Sequence, residues 1–190
     1  MFKNKKVALL LVLLLIVPMV LVACGDDDDG DDKKVELNQT LESASGLTVK
    51  YPEGWATMDE GIGVSIANSE EALNADDITG DMAAVMLMAS SLADLGMSAR
   101  EAFDMFGSGA ASEVGENGEA SDVKDVKVAG VDGYRIDVTD DKTEGFIVGF
   151  EKDGNMIIGI GVAAKDKLGD FEATLLAIIE SATYTAPAAE

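Results

Sequence analysis

The chain has no histidine among its 190 residues and only one cysteine, Cys24. These two absences remove whole classes of chemistry. Zinc sites of the usual Cys and His kinds, Ser-His-Asp and Cys-His nucleophiles, haem ligation through His or Cys, iron–sulfur clusters and redox dithiols all lack their parts. No disulfide can brace the fold, so its stability has to come from a packed core. Basic residues are scarce too: 14 Lys and Arg stand against 36 Asp and Glu, a formal charge of −22. From Val35 onward nine Lys and Arg and a charge of −21 leave no basic stripe, and such a surface repels phosphate backbones, so nucleic-acid binding is not expected. The acid excess reads as a solubilising surface suited to salt or divalent cations that screen its self-repulsion. Paired carboxylates could still hydrolyse a bond. With 30 Asp and Glu in that segment, however, some pair lies at a suitable distance through abundance alone, and no enzyme is expected from it.

What the chain does have begins at its N-terminus. Residues 1–6 are short and cationic, and residues 7–23 form an uninterrupted apolar run with one proline, Pro18, the pattern of a secretory signal. Seventeen residues barely span a bilayer as a permanent helix, so length does not decide between signal and anchor. The end of the run does. Leu21-Val22-Ala23-Cys24 resembles the lipobox of bacterial lipoproteins, in which a small residue fits the peptidase and the next residue is a cysteine whose sulfur takes diacylglycerol. Each buried CH₂ contributes about 0.8 kcal/mol, one acyl chain holds only marginally, and a diacylglyceryl group supplies the second. Residues 26–32, DDDDGDD, then read as a self-repelling tether that resists helix and strand. An EF-hand reading of these aspartates fails, because it needs an oxygen ligand five residues before the glycine, where Gly25 stands. The expected organisation is a signal peptide at 1–23, a lipidated Cys24 with its acidic tether to 34, and a single domain at 35–190. That places the domain outside a bacterial cell membrane, held by lipid.

Along the domain, residues 35–45 form a mixed lead-in. Residues 46–51 alternate as a strand before Pro52-Glu53-Gly54, a turn in which proline presets φ and glycine permits the reversal. Short strands are expected at 55–58 and 62–67, and a polar loop with one helical turn at 68–80. Residues 82–89, MAAVMLMA, are apolar on both faces, as a central buried strand would be. A helix is expected over 98–106, where Ser98 and Glu101 form a capping box and Ala99, Ala102, Phe103 and Phe106 share a side. Residues 107–121 read as a glycine-rich loop. From Val123 the pattern is an antiparallel meander through 131–139, 146–151 and 156–163, with Asp153-Gly154 as a hairpin signal. A closing helix over 169–181 carries Phe171, Leu175, Ile178, Ile179 and Ala182 at helical spacing and should lie on the sheet.

Three motifs are better explained by packing than by ligands. Gly159-Ile-Gly161-Val-Ala-Ala164 fits a dinucleotide fingerprint, but its glycines sit inside a strand where that motif needs a turn opening a helix; close approach of the last helix is the better reading. Met82, Met86 and Met88 share one side of their strand, which suits soft copper(I) ligation less well than core filling. Gly107-Ser108-Gly109 could cradle an anion, but Asp104, Glu113, Glu116, Glu119 and Asp122 would repel it.

The stretch GLTVKYPEGW at 46–55 resembles the opening of PsbP-like or Mog1-like domains, with a strand running into Tyr51-Pro52-x-Gly54-Trp55. Later pieces follow in order: AGVDGYR at 129–135, the hairpin whose second strand is 156–163, and the last helix. The resemblance implies an α+β domain, an antiparallel sheet flanked by helices in an α-β-α sandwich. It implies structural roles for Tyr51, Pro52, Gly54 and Trp55, with the indole capping the core, and no shared catalytic set, metal or cofactor. Histidine ligands proposed for some photosynthetic members have no counterpart here. The expected function is that of a membrane-anchored, non-enzymatic accessory or protein-binding lipoprotein. The alternative is a binder of a small ligand or calcium through the acidic loops 74–81 or 137–141. For the anchor the expected outcome is direct: Cys24→Ala abolishes metabolic labelling of the protein by a fatty-acid analogue, and unchanged labelling contradicts the lipobox.

Overall fold

Eleven strands and four helices are seen in the computed structural model, which describes residues 35–112 and 118–187. The strands are β1 (Gln39–Glu42), β2 (Leu47–Tyr51), β3 (Ala56–Asp59), β4 (Gly63–Ala67), β5 (Ala83–Ser91), β6 (Glu119–Ala120), β7 (Lys124–Val128), β8 (Val131–Thr139), β9 (Thr143–Lys152), β10 (Asn155–Ala164) and β11 (Thr183–Tyr184). The helices are α1 (Glu70–Leu73), α2 (Leu92–Leu95), α3 (Ala99–Ser112) and α4 (Leu168–Glu180). The large sheet runs β3-β4-β5-β10-β9-β8, with β6 and β7 side by side along the outer edge of β8, and every pairing is antiparallel. A second sheet, β1-β2-β11, joins the start of the domain to its end. The fold is thus α+β with mostly antiparallel sheet, as expected.

The expected meander is present. β7 to β10 follow one another in space, and the turn at Asp153 and Gly154 has φ of 53° and 76°, both left-handed, as a two-residue hairpin matched to strand twist requires. The last strand of that meander then pairs back with β5, from Asn155 opposite Ser91 to Ala163 opposite Ala83. β10 is therefore central, and period-two alternation divides its side chains between two faces.

One face carries the larger core. Val85 and Leu87 of β5, Phe146, Val148 and Phe150 of β9 and Ile157 of β10 meet Leu175, Ile178 and Ile179 of α4, while Leu47 and Val49 of β2 join the same cluster. The opposite face packs Ile136, Ile147, Met156 and Ile158 against Ala102 and Phe103 of α3. Each helix seats on a strand glycine. A Cβ at Gly159 would fall 2.6 Å from Ile179 of α4, and one at Gly149 would collide with Phe103 of α3. The packing explanation for the glycine motif thus applies to Gly159, whereas Gly161 lies under the Phe146 ring, 2.6 Å from where its Cβ would be.

Three expectations need correction. α3 does not end near Phe106 but continues through Gly107 to Ser112, and β6 lies where a loop was expected. The capping box forms as read: Glu101 N–H donates to Ser98 Oγ (3.3 Å) and Ser98 N–H to Glu101 Oε2 (2.9 Å). The helix then outlasts its propensity because Phe103 and the buried Gly107 hold it on the sheet. β5 is central in the sheet but not buried on both faces, since Ala84, Met86 and Met88 are only half-buried. The seat of α4 sets an expected outcome for two glycines. Gly159→Ala should cost about 1–3 kcal/mol by overpacking against Ile179. Gly169→Ala, in the first turn of α4 with nothing near its Cβ, should be neutral or stabilise by up to about 1 kcal/mol. Urea unfolding of the two variants checks the contrast.

Candidate functional site

The lipobox residues Leu21, Val22, Ala23 and Cys24, and the aspartates of the tether, lie outside the described residues. Tyr51 ends β2, Gly54 takes φ +84°, and Trp55 N–H donates to the Pro52 carbonyl at 3.4 Å, which closes the turn. Tyr51 and Trp55 are half-buried against the α4-side core. The structure therefore puts this motif at the edge of the packing.

The two acidic loops are occupied by cations of the chain itself. Asp77 receives Lys142 at 2.9 Å and Asp81 receives Lys167 at 2.7 Å, tying the loop before β5 to the β8–β9 turn and to the residue before α4. Asp137 is held by Lys124 and Arg135, each at 2.6 Å. Asp140 accepts the backbone N–H groups of Lys142 (2.7 Å) and Thr143 (2.6 Å) in its own turn. Partial burial pushes the Asp137 carboxyl up, but hydrogen bonds from Lys124 and Arg135 and their charges outweigh it and hold the group below its usual range. The hydrogen bond and charge of Lys167 lower Asp81, and the Lys142 N–H leads in lowering Asp140. Asp59 and Glu101 are lowered as well, by backbone N–H groups first. A general acid at neutral pH needs the opposite shift. Among the described residues no polar side chain is buried, and no group of three or more acidic side chains is placed to hold a metal.

Arg135 joins layers. Its guanidinium lies 4.6 Å over the Phe146 ring and reaches Glu172 of α4 at 2.7 Å while donating to Asp137. Arg135 is a structural clamp between β8 and α4, not a free cation offered to a ligand.

What remains unsatisfied is apolar. α3 packs over β8, β9 and β10, and its Arg100 turns toward β8, 5.1 Å over the Tyr134 ring and 3.7 Å from Asp125 of β7. Its other flank carries Met105 and Phe106, 51% and 37% exposed. Beyond that flank, among the described residues, no helix of comparable length follows: the short α1 packs against β3, β4 and β5 and the short α2 against β5 and β10. The registers align Met58, Ser65, Met86 and Ile160 in one row across β3, β4, β5 and β10, and Gly63, Met88 and Ile158 in the next. Met58 is 40% exposed, and Ile62, in the β3–β4 turn, is 82% exposed. An open cleft lined by Met88, Leu95, Phe106, Met156 and Ile158 runs between this surface and α3. Sequence reasoning assigned Met86 and Met88 to the core and gave Met58, Ile62 and Met105 no role. The readable signal was the even spacing of methionine along β5, which marked a face without saying whether it was covered.

No family model matches the chain, and no curated protein matches it. Among solved structures, the chain is similar to the solution structure of cyanobacterial PsbP (CyanoP) from Synechocystis sp. PCC 6803, with 15% identity and a TM-score of 0.51, covering 87% of this chain and 99% of that one. It is also similar to the crystal structure of LpqN, involved in cell envelope biogenesis of Mycobacterium tuberculosis, with 12% identity and a TM-score of 0.47, covering 73% and 83%. The domain has a PsbP-like fold. Among the described residues no helix is long and apolar enough to cross a membrane.

The cluster around Asp137 sets a pH expectation. A carboxyl lowered in the folded state contributes stability above its unfolded pKa and loses it as pH falls through the folded value. The stability difference between the protein and Asp137→Asn should therefore be constant near neutrality and close as pH falls below about 4. Denaturant unfolding of both proteins at pH 7 and under acid checks it. A gap that persists undiminished in acid would contradict the ion-pair account.

Proposed function

We propose that the chain is a lipid-anchored extracytoplasmic lipoprotein whose domain acts without catalysis, binding or steadying another protein at the cell surface. The single observation that carries this reading is the half-exposed apolar surface over β3–β5 and the free flank of α3. A soluble domain seldom leaves a contiguous apolar face uncovered unless something docks there. Three features support it: the lipobox at Leu21–Cys24, the absence of histidine and of a second cysteine, and acidic loops already engaged by Lys142 and Lys167. The first two account for anchoring and for the lack of the commonest catalytic groups. The third weakens the calcium alternative, because a cation would first have to displace a lysine.

The experiment is crosslinking in intact cells with the lipid-anchored protein as bait. The expected result is a stoichiometric partner that disappears when Met58 and Ile62 are both replaced by Ser while the anchor is kept. Capture at background level alone contradicts the accessory reading.

A further inference from the structure

We infer that the open β3–β5 face receives a cationic amphipathic segment of the partner protein, its apolar side chains on the methionines and its Lys or Arg on the acidic rim. The inference rests on the protein-binding reading above and specifies the partner's chemistry.

The segment that carries the apolar floor is acidic. Residues 51–99, which build β3, β4, β5, α1 and α2, contain no Lys or Arg and nine Asp and Glu. Among the described ion pairs only two cations reach this segment from elsewhere, Lys142 at Asp77 and Lys167 at Asp81. On the open face itself Glu60 accepts the Ser65 hydroxyl (2.7 Å), beside Met58, and among the described residues no cation pairs with it. Asp94 is exposed on α2 next to Leu95 of the cleft. Arg100, the nearest cation along α3, points away to Tyr134 and Asp125.

Such a rim selects among occupants. A second copy of this domain would bring two charges of −21 together, and an anionic membrane would be repelled in the same way. A cationic segment is drawn in and oriented by the rim, and its apolar anchors find a floor of unbranched, polarizable methionines that adapt to irregular side chains. Binding an amphipathic helix in such a groove is an established mode of peptide recognition.

The test uses the full chain in cells. A photocrosslinking amino acid is placed singly at Met58, Ile62 and Met105, and at Lys50 on the small sheet as the control, and the crosslinked peptides are sequenced. The expected result is capture at Met58, Met105 and the adjoining turn residue Ile62, at least about threefold above Lys50, of one protein segment in which Lys or Arg alternates with apolar residues. The yield in washed membranes should fall as salt rises from about 0.05 to 0.5 M, because the rim charges are solvent-exposed and screened. Capture of lipid, of a second copy or of an acidic or uncharged segment overturns the inference. So does protein capture confined to Lys50, although that outcome leaves the protein-binding reading standing. Capture of no protein at any position contradicts that reading and this inference together.

Discussion

A sheet seven strands wide cannot be covered by one helix. Strands lie about 4.8 Å apart and a helix with its side chains is about 10–12 Å across, so a single helix shields two or three strands. On the α4 side the shortfall is met by the second sheet, whose Leu47 and Val49 complete the core that α4 begins. On the other side α3 covers β8 to β10, seated through Phe103 on Gly149, and only short helices lie beyond it, α2 against β5 and β10 and α1 against β3, β4 and β5, where Ala67 is buried. The half-exposed row from Met58 to Met86 follows from that geometry. A domain that needed this face covered for stability alone would require another element there.

Charge is distributed to the same effect. Seven of the nine Lys and Arg of the domain make ion pairs with its acids, and Lys152 donates to the Ala182 carbonyl. Most of these pairs are exposed and contribute little to stability one by one. Their consequence is that the basic residues are spent on fastening the fold, as Arg135 fastens β8 to α4 and Lys142 fastens the loop before β5. The acids left over face solvent. The surface is apolar at the open face and acidic beside it, at Glu60 and Asp94.

Much of the fold was legible in the sequence, for local reasons. Alternation through residues 131–139 and 146–163, the Asp153-Gly154 turn, the Ser98–Glu101 box and the Leu175, Ile178, Ile179 stripe each encode a short-range geometry. The second sheet was not legible, because β1 and β11 are short and β11 pairs with β2 across the whole domain, Thr183 opposite Thr48. The extension of α3 through Gly107 was hidden because glycine and serine lower helix propensity and only packing on the sheet offsets it. The open face was half legible. An apolar strand on both sides reads as buried whenever its neighbours are assumed to cover it, and the sequence of β5 does not say how wide the sheet is. The lipobox expectation rests on residue types alone, since Leu21 to Cys24 lie outside the described residues.

The most direct measurement of this account is solvent paramagnetic relaxation of the methionine methyl groups in the free protein. Strong relaxation at Met58 and Met105, intermediate relaxation at Met86 and Met88 and protection of Met156 are the result the open face requires. Protection of Met86 and Met88 equal to that of Met156 would mean that the face is already covered, and it would contradict the claim on which the functional reading stands.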